Sequence, residues 1–291
     1  MYMKKFLLFL VCAGCLPFSL SAGEFLGDVT YTGSSEFHKI TAATTWQFGL
    51  NWQVGLEAKY ANEDLFKDPV YAVKLPIGFT SDLFSAYLKP FYYFENKSDK
   101  QPYQAFGISS QLIMTLEDDV VNELYSHAYI GAAFARQQSA RGFENATQEH
   151  GYYSQAAYTI GLHKNFFRAF SFEAAGSAFQ YPDGINGVVW FRGILDQQDL
   201  ISLQTFEIVH DLPKYAASTR LTWLWPDRYA TLYIGYRFGE FYTSDPEHSV
   251  ILGNTFALTR SVLCELAYNH LRAVHNHNKR DIFYAQLKFK F

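Results

Sequence analysis

From Glu24 onward, apolar and polar residues alternate with a period of two rather than 3.6, which is the signature of strands with two unlike faces. Trp52, Val54, Leu56, Ala58 and Tyr60 fall on one face, with Gln53, Gly55, Glu57 and Lys59 on the other. Phe84, Ala86, Leu88, Pro90, Tyr92 and Phe94 oppose Ser85, Tyr87, Lys89 and Tyr93. The same split recurs over Tyr152–Leu162, Phe166–Ser177 and Ala230–Gly239. The segments run about ten to fourteen residues. Ordinary globular strands average about five or six, whereas a strand that crosses a bilayer at a tilt needs about nine to eleven.

Short and longer connections take turns along the chain. Tight turns are expected near Leu50–Asn51, Thr80–Asp82, His163–Asn165, Trp225–Asp227 and Arg260, and slightly longer ones near Glu117–Val120 and Asp196–Asp199. Longer polar connections fall between them, and the longest expected is Gln138–His150. Transmembrane barrels alternate short periplasmic turns with longer outer loops in this way. The predicted strands are 24–33, 37–49, 51–62, 69–79, 83–96, 102–115, 121–137, 151–163, 166–180, 187–196, 200–210, 215–225, 229–242, 249–259, 261–272 and 281–291. The fold class is therefore all-β: a single transmembrane up-and-down antiparallel β-barrel of about 16 strands. The weakest members are 24–33, 187–196 and 200–210. If two segments lie outside the wall the count is 14, and 12 requires further pairs to merge.

The N-terminus reads differently. Lys4 and Lys5 precede an apolar run from Phe6, and small residues end it at Ser21 and Ala22. That order is a secretory signal peptide over 1–22, too short to span a membrane as a helix, and leaves 23–291 as the barrel domain. Cys12-Ala13-Gly14-Cys15 partly matches a lipobox, so lipidation of Cys15 is the alternative to cleavage after Ala22. Cleavage leaves Cys264 as the single cysteine, which excludes an internal disulfide. The whole chain has 24 basic and 28 acidic residues, and 18% of it is aromatic. That balance argues against a nucleic-acid binder. The aromatic surplus fits two interfacial girdles and a lipid-facing band.

At the C-terminus Phe283, Ala285, Leu287, Phe289 and Phe291 share a face, opposite Tyr284, Gln286, Lys288 and Lys290. This resembles the terminal strand of Gram-negative outer-membrane β-barrel proteins, which closes on an aromatic residue. The resemblance implies a bacterial outer-membrane location, with outer-membrane lipid around the wall. It also implies that Phe283, Leu287, Phe289 and Phe291 are read by the barrel assembly machinery. In lipid a strand protein can span only as a closed barrel, because every backbone polar group needs an internal partner.

With the apolar faces turned to lipid, the interior receives Lys59, Lys74, Lys89, Arg192, Arg220, Arg237, Lys288 and Lys290 against Glu57, Glu173 and Glu265. Rings of charge set pore selectivity, so these pore-lining residues predict a passive porin-like channel for small hydrophilic solutes with a weak anion preference. The alternative is a structural or surface-interaction barrel whose lumen is filled by a network of paired charges. Any pore needs a constriction, and Gln138–His150 with Arg141 is the candidate infolded loop, set against a plain surface loop. A third possibility is an outer-membrane hydrolase built from loop carboxylates such as Glu144, Glu149, Asp183, Asp245 and Glu247. Against it, Ser126 and His127 are adjacent in one strand and point to opposite faces. The chain also lacks both the G-x-S-x-G and H-E-x-x-H patterns. His270, His275 and His277 gather near one outer connection but match no standard metal spacing. The sequence calls for neither cofactor nor metal.

Overall fold

The computed structural model describes residues 24–35, 37–63, 69–95, 104–119, 124–141, 149–166, 169–182, 212–225, 230–242, 244–274 and 279–290. They form β1 (Phe25–Gly33), β2 (Phe37–Phe48), β3 (Trp52–Glu63), β4 (Val70–Lys74), β5 (Ile77–Thr80), β6 (Phe84–Glu95), β7 (Gln104–Asp119), β8 (Leu124–Arg141), β9 (Glu149–Phe166), β10 (Phe170–Gln180), β11 (Pro213–Leu224), β12 (Ala230–Phe241), β13 (Glu247–Thr259), β14 (Val262–Ala273) and β15 (Lys279–Lys290). Consecutive strands pair antiparallel, except that β4 and β5 each pair with β3 and β6, and β1 pairs with β15 from Leu26↔Lys290 to Gly33↔Phe283. That seam closes the sheet on itself and leaves no edge to recruit another chain.

β4 and β5 occupy one position between β3 and β6. Their pairings continue one register on both sides, Glu57↔Lys74 with Val54↔Ile77, and Lys74↔Phe91 with Ile77↔Leu88. The interruption falls at Leu75–Pro76. Proline has no amide hydrogen to donate to a ladder, yet the Pro76 carbonyl still accepts from Gly55 N at 2.7 Å. The closed wall therefore has fourteen strand positions, the second of the two strand counts expected first, and sixteen is corrected. The reason lies between β10 and β11. These pair directly from Phe170↔Trp223 to Ala178↔Tyr215, so the wall has no place for strands between them. The expected strands 187–196 and 200–210 lie outside the described residues.

Two smaller corrections concern connections. β8 and β9 continue their ladder out to Arg141↔Glu149, so the expected long loop Gln138–His150 shrinks to 142–148, which is outside the described residues. The longest interval between consecutive strands is instead 181–212, of which 183–211 lie outside the described residues. The expected turn at His163–Asn165 is strand, because β9 runs on to Phe166. The alternation of connections holds in part. The end carrying the start of β1 and the close of β15 has only short intervals between strands, 49–51, 81–83, 120–123, 167–169, 225–229 and 260–261, whereas the opposite end has the longer intervals 64–69, 96–103, 142–148 and 181–212 beside the short 34–36, 242–246 and 274–278. In the first of these, Gly49 takes a φ of +63°, a left-handed conformation that favours glycine.

The outer surface is sorted by height. Near the short-turn end lie Trp46, Phe48, Trp52, Phe79, Phe84, Phe170, Trp223 and Trp225, with neighbouring rings 4.7–6.4 Å apart. Near the long-loop end the girdle is rich in tyrosine, and five of the hydroxyls have a polar partner on the next strand: Tyr31 with His38, Tyr92 with Gln104, Tyr215 with Glu240, Tyr236 with His248, and Tyr268 with Asp281. Trp52 to Tyr60, Phe84 to Tyr92 and Tyr215 to Trp223 each span eight residues, roughly 27 Å along a strand. At a tilt of roughly 40° that is ~21 Å of height, close to the apolar band of a membrane barrel. Between the girdles Leu56, Leu88, Ile108, Ile130, Ile160, Ile234 and Leu252 point outward. Ile160 is 67% exposed while inward-facing Lys74 is 2% exposed, the inverse of the burial seen in water.

Candidate functional site: the lumen face

The inward positions follow from the same alternation. Those on β6–β10 pair large residues with small ones across strands. Phe91 is the register partner of Gly107, Tyr93 of Ala105, Gln155 of Ala135 and Phe179 of Ala157. A glycine or alanine beside a large side chain lets that side chain lie along the wall instead of projecting across the barrel, and both faces of each such pair are then buried. Tyr93, Phe91 and Phe179 are buried on this face together with Ala105, Ala133, Ala135 and Ala157.

Two tyrosines repeat one device. Tyr129 on β8 lies over its register partner Gly161 on β9, and its hydroxyl donates to Glu173 Oε1 on β10 at 3.1 Å. Tyr233 on β12 lies over its partner Gly253 on β13, and its hydroxyl donates to Glu265 Oε1 on β14 at 2.8 Å. Each ring thus bridges three strands. At either glycine a β-carbon would overlap the ring. The Arg220 guanidinium sits 3.7 Å from the Tyr233 ring centroid, a cation–π contact.

The charged side chains form two groups. On β10–β15 and β1 the acids and bases balance. Glu173 is the register partner of Arg220. Lys288 Nζ is 3.7 Å from Glu265 Oε2, and Gln286 Nε2 donates to Asp28 Oδ1 at 3.3 Å. On β2–β6 the bases prevail among the described side chains. Lys74 Nζ pairs with Glu57 Oε1 at 2.7 Å, and Lys59 Nζ donates to the Tyr93 hydroxyl at 3.3 Å. Both ammonium groups approach the Tyr93 ring, at 5.6 and 5.9 Å from its centroid. Lys89 and Lys39 share this face. Lys74 and Lys59 are almost fully buried, so their desolvation cost is high and is offset by the Glu57 carboxylate and the ring.

Of the interior residues expected from sequence, Glu57, Lys59, Lys74, Lys89, Glu173, Arg220, Arg237, Glu265, Lys288 and Lys290 lie on this inward face. Arg192 lies outside the described residues. Phe283, Leu287 and Phe289 lie on the outer face of β15, and Phe291 is outside the described residues. Ser126 and His127 face opposite sides, as adjacent strand residues must. Sequence reasoning passed over Asp28 and Lys39, which lie in strands of weak alternation. It also assigned the aromatic surplus to the outside, although Phe91, Tyr93, Tyr129 and Tyr233 are interior. The available signal was each strand's own alternation, which already set Tyr93 beside Lys89.

No family model matches the sequence, and no curated protein matches it. Solved structures do. CdiB from Acinetobacter baumannii superposes with a TM-score of 0.52 at 9% identity, covering 94% of this chain. The chain spans 60% of the length of CdiB. The CymD monoaromatic hydrocarbon channel gives 0.50 at 9% identity over 92% of this chain and 87% of CymD. The TodX deltaS2S3 mutant monoaromatic hydrocarbon channel gives 0.51 at 11% identity over 94% and 91%. The fold is that of an outer-membrane β-barrel. At such identities the likeness extends to the wall and not to the residues that line it.

Proposed function

We propose that this barrel sits in a bacterial outer membrane and passes small hydrophilic solutes passively, with a weak preference for anions. The observation that carries the reading is the composition of the inward face. On its β2–β6 part, Lys39, Lys59, Lys74 and Lys89 outnumber Glu57 among the described side chains. A charge-lined aqueous path favours ions of the opposite sign. Wall-hugging aromatic side chains support the path, because interior tyrosine and phenylalanine rings spread over glycine and alanine rather than across the lumen. The fold shared with two hydrocarbon channels is consistent with passage, and the ionic lining favours polar solutes over apolar ones. Charges further apart than a Debye length, about 8 Å at physiological salt, are largely screened, so the preference is weak.

The reading is tested by swelling of liposomes that contain the folded barrel. Influx of a small sugar that slows as solute size rises supports it. Folded barrels that leave liposomes as tight as empty ones contradict it. The competing reading is a filled structural barrel, and one observation favours it: Lys59, Lys74, Tyr93 and Arg237 are each no more than 4% exposed, as in a packed interior. The same swelling assay separates the two.

A further inference from the structure

His127 and His163 stand apart from the charged groups already described. They are register partners on β8 and β9 and both face the lumen near the short-turn end. Their rings lie 4.9 Å apart between centroids and 11° from parallel. Tyr125 flanks both, at 5.2 and 6.2 Å. His163 Nε2 meets Asn165 Oδ1 at 2.9 Å, whereas His127 Nδ1 is buried with no hydrogen-bond partner. A buried ring nitrogen without a partner is uncommon in folded proteins and asks for an explanation. Packing of two aromatic rings alone would be served as well by phenylalanine, which has no nitrogen to leave unsatisfied.

Directly opposed cross-strand residues have β-carbons about 4.5–5.5 Å apart, so modest ring rotation brings one nitrogen of each imidazole onto a common point. A metal–nitrogen bond of about 2.0–2.1 Å needs two nitrogens roughly 3.3 Å apart for tetrahedral geometry, which this spacing allows. The register partner of His163 on its other side is Glu173, whose carboxylate accepts from the Tyr129 hydroxyl. Three adjacent strands thus offer two imidazoles and a carboxylate on one face. Among the described residues no three such groups already converge within ligating distance, so the carboxylate must turn from the tyrosine to join.

We propose that His127 and His163 clamp a divalent transition-metal ion, of the Zn²⁺ or Cu²⁺ class, on the lumen wall, with Glu173 as the third ligand. Imidazole nitrogen suits these ions, and the fourth position is open to the lumen for water. The inference is independent of whether the lumen conducts. It gives the orphaned nitrogen a partner and places a fixed positive charge at the short-turn mouth.

The experiment is calorimetric titration of Zn²⁺ into the full-length barrel folded in detergent, in a background where His270, His275 and His277 are replaced by glutamine. One ion per barrel is expected. His127→Gln and His163→Gln should each weaken binding by no less than the roughly 10–100-fold that loss of an outer partner costs a metal site, while both variants keep heat-modifiable gel migration. No saturable binding, or binding that survives both substitutions, overturns the proposal. Electron paramagnetic resonance of Cu²⁺ bound to the unsubstituted pair needs no folding of variants. Nitrogen coordination by two equivalent imidazoles is expected, and an all-oxygen signature also overturns it.

Discussion

Gly161→Ala is the most informative single change in the wall. A β-carbon there overlaps the Tyr129 ring at its hydroxyl end. Two responses are open. The ring can stay and be overpacked, at a cost of ~1–3 kcal/mol. Alternatively it can lift, giving up its hydrogen bond to the Glu173 carboxylate, and a hydrogen bond to a charged group is worth ~1.5–3 kcal/mol. The cheaper route sets the loss, so about 2 kcal/mol is expected. Gly176 on the next strand is the control. Its nearest non-neighbouring heavy atom lies 4.0 Å from the added carbon, and replacing an unneeded strand glycine gains roughly 0.5–1 kcal/mol. Both are read from urea unfolding of the barrel in detergent, followed by the gel shift between folded and unfolded forms. The decisive arm repeats Gly161→Ala in a Tyr129→Ala background, where the overlap is gone and the cost should fall to near zero. An undiminished cost there refutes the ring-over-glycine account, since the two substitutions would then be independent.

Further outcomes follow from the same structure. Lys74→Met leaves the Glu57 carboxylate without its 2.7 Å partner; breaking a buried pair costs about 3–5 kcal/mol, and the nearby Lys59 and Lys89 should hold the loss to the lower end in urea unfolding. Ile160→Arg places a charge in the lipid-facing band and should destabilise by ~2–4 kcal/mol in lipid vesicles, whereas Ser109→Arg on the lumen face should cost far less in the same measurement. Lys89→Glu and Arg237→Glu should each lower the chloride-to-potassium permeability ratio in bilayer recordings. That ratio should also fall toward unity as salt rises from 0.1 to 1 M, where the Debye length shrinks to about 3 Å.

Much of the wall was legible because alternation is local. Over 52–60, 84–94 and 230–238 each residue's face can be read from its own strand, and those faces are the ones observed. The strand count was not local. Segments 187–196 and 200–210 have strand-like length, and only the direct pairing of β10 with β11 removes them from the wall. The length of β8 and β9 escaped for a similar reason, since Gln138–Arg141 looks like polar loop until its ladder partners on β9 are known. Within the lumen the charged positions were legible from alternation, but their partners were not. The Tyr129–Gly161–Glu173 and Tyr233–Gly253–Glu265 bridges depend on register across three strands, as does the meeting of His127 with His163. No spacing along the chain announces them. Tyrosine is also ambiguous by chemistry: at a membrane interface and above a glycine it uses the same apolar ring and polar tip.

Single-channel recording in a planar bilayer under a potassium chloride gradient bears most directly on the central claim that the lumen is open and basic. The account predicts steady conductance with a reversal potential displaced toward that of chloride. Absence of conductance from barrels shown to be folded by their gel migration would contradict it, and the interior charges would then be the closed network of a filled barrel.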